Sequence, residues 1–206
     1  MNGQDANSTT LKTYQEKLQA YIDSTPQKIN DAEYPWIDNA LDSIPEHSSI
    51  LEIGSGAGRN ATYIAERGYK LECTEAVPEF VAIMAQKGLA TRVLNVLTDE
   101  IAARYDMIFA NGVLVHFTPE QSEKVFTKVY NALNPGGIFA FSVKMGDGGK
   151  WTEEKLGAPR YFYYWQPAEL QQLAKLAGFE WLSMESGETS LKNASWLYII
   201  VRKGEA

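Results

Sequence analysis

An α/β fold, a mainly parallel sheet with helices on both faces, is what this sequence predicts, and three observations carry that expectation. The first is a strand, a tight loop and a helix in direct succession. Ile50-Leu51-Glu52-Ile53 runs into glycines at alternate positions in Gly54-Ser55-Gly56-Ala57-Gly58, and Asn60 to Gly68 then reads as a helix closed by glycine. The second is that apolar runs of strand length go on alternating with helical segments to Val201. The third is the punctuation: Pro78, Pro119 and Pro167 stand at helix starts, and Gly88 and Gly178 stand just past helix ends. Such alternation implies right-handed crossovers, and ligands then collect beyond the carboxyl ends of the strands.

Each element has its own signal. Met1 to Thr10 is polar and is expected to be disordered, and it lacks the charged-then-apolar layout of a secretory leader. Leu11, Tyr14, Leu18, Tyr21 and Ile22 fall at helical spacing before Pro26, and a second helix is expected from Tyr34 through Leu41, stopping near Pro45. After the glycine loop come strand two at Leu71–Thr74, a helix at Pro78–Lys87 and strand three at Thr91–Val96. Strand four is expected at Asp106–Ala110, a helix at Pro119–Leu133 and strand five at Ile138–Val143. Lys144–Gly149 reads as a loop and Trp151–Leu156 as a short helix. The run Arg160-Tyr161-Phe162-Tyr163-Tyr164-Trp165 brings one cation and five rings together. A helix at Pro167–Ala177, a strand at Phe179–Met184, a turn-rich stretch at Glu185–Ala194 and a strand at Trp196–Val201 complete the chain. The organisation expected is one domain over residues 11–206. Residues 11–46 form a helical lid, 47–143 a ligand-binding core and 144–206 an acceptor-side loop and terminal hairpin.

Composition excludes several functions. A formal charge of −7 leaves no broad basic surface for a nucleic-acid backbone, so a small-molecule partner is favoured. No apolar run approaches the ~20 residues of a membrane span. One cysteine, Cys73, lies in an apolar run and reads as a buried thiol, which suits a reducing, cytoplasmic setting. Two histidines and one cysteine make no metal-ligand cluster, so no metal is expected. A glycine-x-serine-x-glycine elbow with a partnering histidine is absent, which argues against a hydrolase.

The glycine spacing narrows the ligand. A dinucleotide fingerprint requires a third glycine five residues after Gly54, and that position is Arg59; Gly58 comes one residue early, which argues against NAD. Glu52 precedes the loop and Glu75 ends the next apolar run. The order acid, loop, helix, strand, acid suits a ligand with an adenosine, whose ribose hydroxyls can donate to the second carboxylate, and a charged amino-acid tail near the loop.

With these residues the chain resembles the class I S-adenosylmethionine-dependent methyltransferases. Tyr105 to His116 is similar to that family's fourth-strand segment, and Leu133-Asn134-Pro135-Gly136-Gly137 to the turn before its fifth strand. The ending Gly58-Arg59-Asn60 and the run at Arg160 resemble bacterial methyltransferases of the tellurite-resistance type. The resemblance implies a Rossmann-like seven-stranded sheet in the order 3-2-1-4-5-7-6 with strand 7 antiparallel. It also implies S-adenosyl-L-methionine as cofactor, S-adenosyl-L-homocysteine as product, and a monomer or homodimer acting on a small-molecule methyl acceptor. By the same likeness Glu52, Gly54, Ser55, Gly56, Gly58, Arg59 and Asn60 form the cofactor loop. Glu75 takes the ribose hydroxyls, Ala76 packs beside the adenine, and Asn95, Val96 and Leu97 read its edge. Asn111, Gly112 and Val113 lie under the methionine end, and Tyr14 covers it from the lid.

His116 is the candidate proton acceptor, because imidazole changes protonation near neutral pH. Lys144, Arg160, Tyr161, Tyr163 and Tyr164 are candidates for the acceptor pocket, the cations pairing a negative group and the rings excluding water. Methyl transfer from a sulfonium is an in-line displacement helped chiefly by positioning, so the lack of an evident dyad does not count against an enzyme. Two alternatives keep the pocket but change the chemistry: a non-catalytic adenosyl-cofactor sensor and an NAD-linked oxidoreductase.

Overall fold

A computed structural model describes residues 3–189 and 194–205. Three helices come first: α1 (Gly3–Glu16), α2 (Leu18–Asp23) and α3 (Glu33–Asp42). The alternating core follows as β1 (Ile50–Ile53), α4 (Arg59–Glu66), β2 (Leu71–Glu75), α5 (Pro78–Gln86), β3 (Ala90–Val93), β4 (Tyr105–Asn111), α6 (Pro119–Ala132) and β5 (Leu133–Lys144). A 3-10 turn, Leu114–His116, sits between β4 and α6. The last elements are β6 (Gly148–Thr152), β7 (Arg160–Tyr164), α7 (Pro167–Leu176), β8 (Phe179–Thr189) and β9 (Ala194–Lys203).

The main sheet has seven strands in the order β3-β2-β1-β4-β5-β9-β8, and β6 and β7 form a separate two-stranded sheet. Strands β1 to β5 pair in parallel; β9 runs antiparallel to β5 and to β8. Counted within the main sheet, this is the expected 3-2-1-4-5-7-6 with the last strand reversed. Proline opens α5, α6 and α7, where a missing N–H costs nothing. Thr118 and Gln121 close a reciprocal capping box on α6.

Strand alternation sends successive side chains to opposite faces. Met107 and Phe109 of β4 and Ile138 and Ala140 of β5 pack with Trp36, Ile37 and Leu41 of α3. Their neighbours Ile108, Phe139 and Phe141 pack on the other face with Phe126 and Val129 of α6 and Leu170 of α7. Trp36 is anchored by its indole N–H, which donates to the Ile199 carbonyl at 3.2 Å. Burying a side chain of this kind contributes about 1.5–3 kcal/mol.

Four local expectations are corrected. Residues 3–10 are helical and not disordered, because Ala6 and Thr10 are buried and the Thr10 hydroxyl accepts from the Tyr161 N–H at 3.0 Å. Strand β3 stops at Val93, since its pairing partner β2 ends at Glu75 and the chain then turns toward the strand ends. In place of a loop and a short helix after β5, β6 and β7 form a hairpin in which Gly148 pairs with Tyr164 and Thr152 with Arg160. Strands β8 and β9 pair as far as Thr189 and Ala194, so the expected turn shrinks to 190–193, which lie outside the described residues.

Candidate active site

The carboxyl ends of β1, β2 and β4, with α1 and α2 across them, enclose a cavity of about 110 Å³. Its floor is the loop after β1. Gly54 has φ +68 and Gly56 φ +54, values that favour glycine. A Cβ on Gly54 would lie 2.4 Å from Val113 Cγ2, so that glycine lets the loop approach the end of β4. A Cβ on Gly56 would point into open space, its nearest neighbour being the Tyr21 hydroxyl at 3.9 Å.

Glu75 stands at the wall. Its Oε2 accepts the Gly56 N–H at 3.0 Å, and its Oε1 accepts the N–H groups of Ala76 at 2.7 Å and Val77 at 3.2 Å. Burial raises its pKa, and these three backbone donors oppose the rise. Ala76, Leu94, Asn95, Val96 and Phe80 continue the wall beyond it, and Asn111, Gly112 and Val113 line the opposite end. Under the loop lies a polar network. Buried Glu33 of α3 accepts from Arg59 at 2.7 Å and from Asn111 at 2.8 Å through the same oxygen, and the Ser142 hydroxyl donates to Asn111 and accepts from the Gly112 N–H.

Tyr14 and Tyr21 cover the cavity from α1 and α2, their rings edge to face at 5.2 Å. Tyr14 meets His116, whose Nε2 is 2.9 Å from the tyrosine hydroxyl, while Nδ1 is 2.7 Å from the Tyr161 carbonyl. A carbonyl can only accept, so Nδ1 carries the ring proton and the bare Nε2 accepts from Tyr14. Burial lowers the His116 pKa to about 4; the Tyr161 carbonyl opposes this, and Arg160 and Lys144 add to it. The imidazole is therefore neutral, not poised near 7. Burial and then Tyr21 push the Tyr14 phenol well up, against Arg160. Arg160 Nη1 donates to the Tyr14 oxygen at 3.2 Å.

The cavity gathers eleven of the expected positions: Tyr14, Gly54, Gly56, Glu75, Ala76, Asn95, Val96, Asn111, Gly112, Val113 and His116. Others lie behind it, and each has a local reason. Glu52 is buried beneath the loop, where desolvation raises its pKa to about 7 against hydrogen bonds from Ser55 and Asn60. Ser55 donates its N–H to the Thr74 carbonyl, and a Cβ on Gly58 would meet Leu89 and Met84, not a ligand. Arg59 is occupied by Glu33, and Asn60 is buried in α4. Leu97 packs against the core, its N–H donating to the Asn95 side chain.

Among the acceptor candidates, Tyr163 bonds Glu169 and packs on Trp165, while Tyr161 packs edge-on to Trp151. Neither lines the cavity. Lys144 and Tyr164 lie at the hairpin, Lys144 Nζ standing 4.3 Å from the Phe162 ring centre. Asn7, Thr10 and Leu11 line the cavity without a sequence signal, because their register depends on α1 docking against β7.

A family model described as a methyltransferase domain matches residues 14–184, most of the chain. The chain belongs to that family. It is a class I S-adenosylmethionine-dependent methyltransferase domain, which sets aside the NAD-linked reading. A curated relative, L-tyrosine C(3)-methyltransferase of Streptomyces lavendulae, is 30% identical over 112 residues, 50% of this chain. The chain spans only 31% of that relative's length. Among solved structures, the 1,6-didemethyltoxoflavin N1-methyltransferase of Burkholderia thailandensis superposes with a TM-score of 0.77 at 20% identity, covering 99% of this chain and 91% of that one. That structure holds its own acceptor and S-adenosylhomocysteine. TehB of Haemophilus influenzae gives 0.65 at 17%, over 82% and 62% of the two chains. At these identities the structural likeness is one of fold. Among the described residues no helix is long and apolar enough to cross a membrane.

Proposed function

We propose that the domain transfers a methyl group from S-adenosylmethionine to a small-molecule acceptor in the cytoplasm, with the acceptor entering on the Tyr14–His116 side. The observation that carries this reading is Glu75, a half-buried carboxylate held at the cavity wall by three backbone N–H groups, directly beside a glycine whose missing Cβ leaves the cavity open. These residues fit the cofactor. Glu75 Oε2 carries one of the three bonds and retains acceptor capacity for a ribose hydroxyl. Leu94, Val96, Phe80 and Ala76 offer an apolar shelf for adenine, and the loop with Asn111 and Gly112 would hold the amino-acid tail.

When bound, the cofactor supplies an activated methyl carbon. The chain's residues supply alignment and dryness: Tyr14 and Tyr21 roof the cavity, and proximity of this kind contributes up to ~7–11 kcal/mol in favourable models. Where the acceptor carries a proton, His116 Nε2 takes it once the acceptor's hydrogen replaces that of Tyr14, and Nδ1–H remains bonded to the Tyr161 carbonyl. The test is calorimetry with S-adenosylmethionine and S-adenosylhomocysteine. Binding of one molecule per chain is expected; no heat at millimolar ligand would overturn the assignment.

A further inference from the structure

At the Tyr14 and Tyr21 side of the cavity, three cations pack against three rings. Lys144 Nζ stands over Phe162 at 4.3 Å; the Arg160 guanidinium lies 5.0 Å from Phe162 and 5.5 Å from Tyr14; Tyr14 meets Tyr21; and Lys155 Nζ stands 4.6 Å over Tyr21. None of the three cations forms an ion pair among the described residues. Arg160 is the most demanding of them. It is 5% exposed, its Nε has no partner, and its only hydrogen bond among the described residues is to a neutral phenol.

A buried guanidinium held only by ring faces and one hydroxyl is costly unless an anion completes it. In a chain of net charge −7, among the described residues no carboxylate ion-pairs with Arg160 or Lys144, and Glu154 acts on Lys144 only from a distance. We infer that Arg160 and Lys144, both packed on the Phe162 ring, bind an anionic group of the methyl acceptor, so that the substrate is a carboxylate-bearing small molecule. This rests on the methyltransferase reading and narrows it. The planar fork of Arg160 suits a carboxylate, and the Phe162 ring on which both cations pack suits a flat body beside it.

The cluster also bears on the proton step. Beyond its burial, Arg160 and Lys144 both hold the His116 pKa down, and burial, then Arg160 and Lys150, lower that of Lys144 against Glu154. An anion paired with both relieves both effects, so His116 Nε2 becomes a better proton acceptor only once the acceptor is bound. Lys155 donates to the Thr25 hydroxyl at 2.7 Å and lies over Tyr21, while Arg160 and Lys144 add to the burial that lowers its pKa.

The experiment uses the full chain saturated with S-adenosylhomocysteine and titrates it with matched pairs of small aromatic and aliphatic carboxylates and their carboxamides. At least one carboxylate is expected to bind about tenfold or more tightly than its amide. In Arg160→Gln and Lys144→Gln that preference is expected to vanish while S-adenosylhomocysteine affinity stays within about twofold, and Arg160→Lys is expected to restore part of it. Equal binding of the pairs, or no carboxylate binding, would overturn the inference. So would a parallel loss of S-adenosylhomocysteine affinity in both variants, which would assign these cations to the cofactor's own carboxylate. Should S-adenosylhomocysteine fail to bind the unaltered protein, the methyltransferase reading itself falls. Melting temperature guards against misfolding, and Lys144→Gln, at a half-buried site, keeps the test alive if Arg160→Gln unfolds.

Discussion

The two sides of the cavity are built from different materials. On the proposed cofactor side the polar contacts are largely backbone: three N–H groups on one carboxylate, two glycines at positive φ, and a loop closed by the Ser55 N–H on the Thr74 carbonyl. On the acceptor side they involve side chains from distant segments: Tyr14 with His116, Arg160 with Tyr14, and Lys144 and Arg160 over Phe162. The first construction fixes one ligand through main-chain geometry, which side-chain substitution hardly alters. The second can change its ligand with one or two residues. A constant cofactor beside a variable acceptor calls for that division.

Substitutions can break the comparison, and the largest effect should come from the backbone side. Gly56→Val places a branched side chain in the open space the ligand needs, at a φ that itself costs about 1–2 kcal/mol. Calorimetry should detect no S-adenosylhomocysteine binding, and wild-type affinity would disprove the placement. Glu75→Ala should weaken binding by roughly 1–3 kcal/mol, the worth of hydrogen bonds to a charged group. A smaller loss for 5′-methylthioadenosine, which keeps the ribose hydroxyls, would move Glu75 off the ribose.

Stability against pH sharpens the contrast between His116 and Glu52. His116 titrates at about 4 folded and near 6.5 unfolded, so between these values the unfolded chain binds more protons and stability falls as pH drops. Glu52 has the opposite sign: at about 7 folded and near 4.5 unfolded, it makes stability fall as pH rises through that window. The two oppose each other in the wild type, and Glu75, whose pKa burial also raises, acts with the sign of Glu52. Denaturant titrations should show Glu52→Gln gaining stability and His116→Asn losing it as pH rises from about 4.5 to 6.5. Each change should be on the order of 2 kcal/mol, after allowance for His116 partly facing the cavity. Slopes of the same sign in both variants would contradict these environments.

The same division decides what could be read from sequence. The glycine loop, Glu75 and strand four are local: apolar strand, alternating glycines and an acid at the next strand's end are adjacent in sequence and constrained by backbone sterics, so spacing alone locates them. Asn7, Thr10 and Phe80 reach the cavity through helix docking, which no local periodicity encodes. Glu52 and Arg59 look functional in sequence yet turn inward, Glu52 beneath the loop and Arg59 onto Glu33, because their partners come from other segments. The hairpin of β6 and β7 was hidden for a similar reason. Its glycines resemble a loop, but a Cβ on Gly149 would overlap the Tyr161 ring across the pair, so that glycine is required by the strand contact.

The most direct measurement is a crystal structure of the chain with S-adenosylhomocysteine. The ribose hydroxyls should lie on the Glu75 carboxylate, with the sulfur facing the space beside Tyr14 and His116. A ribose bound elsewhere, or a sulfur facing α5, would contradict the account.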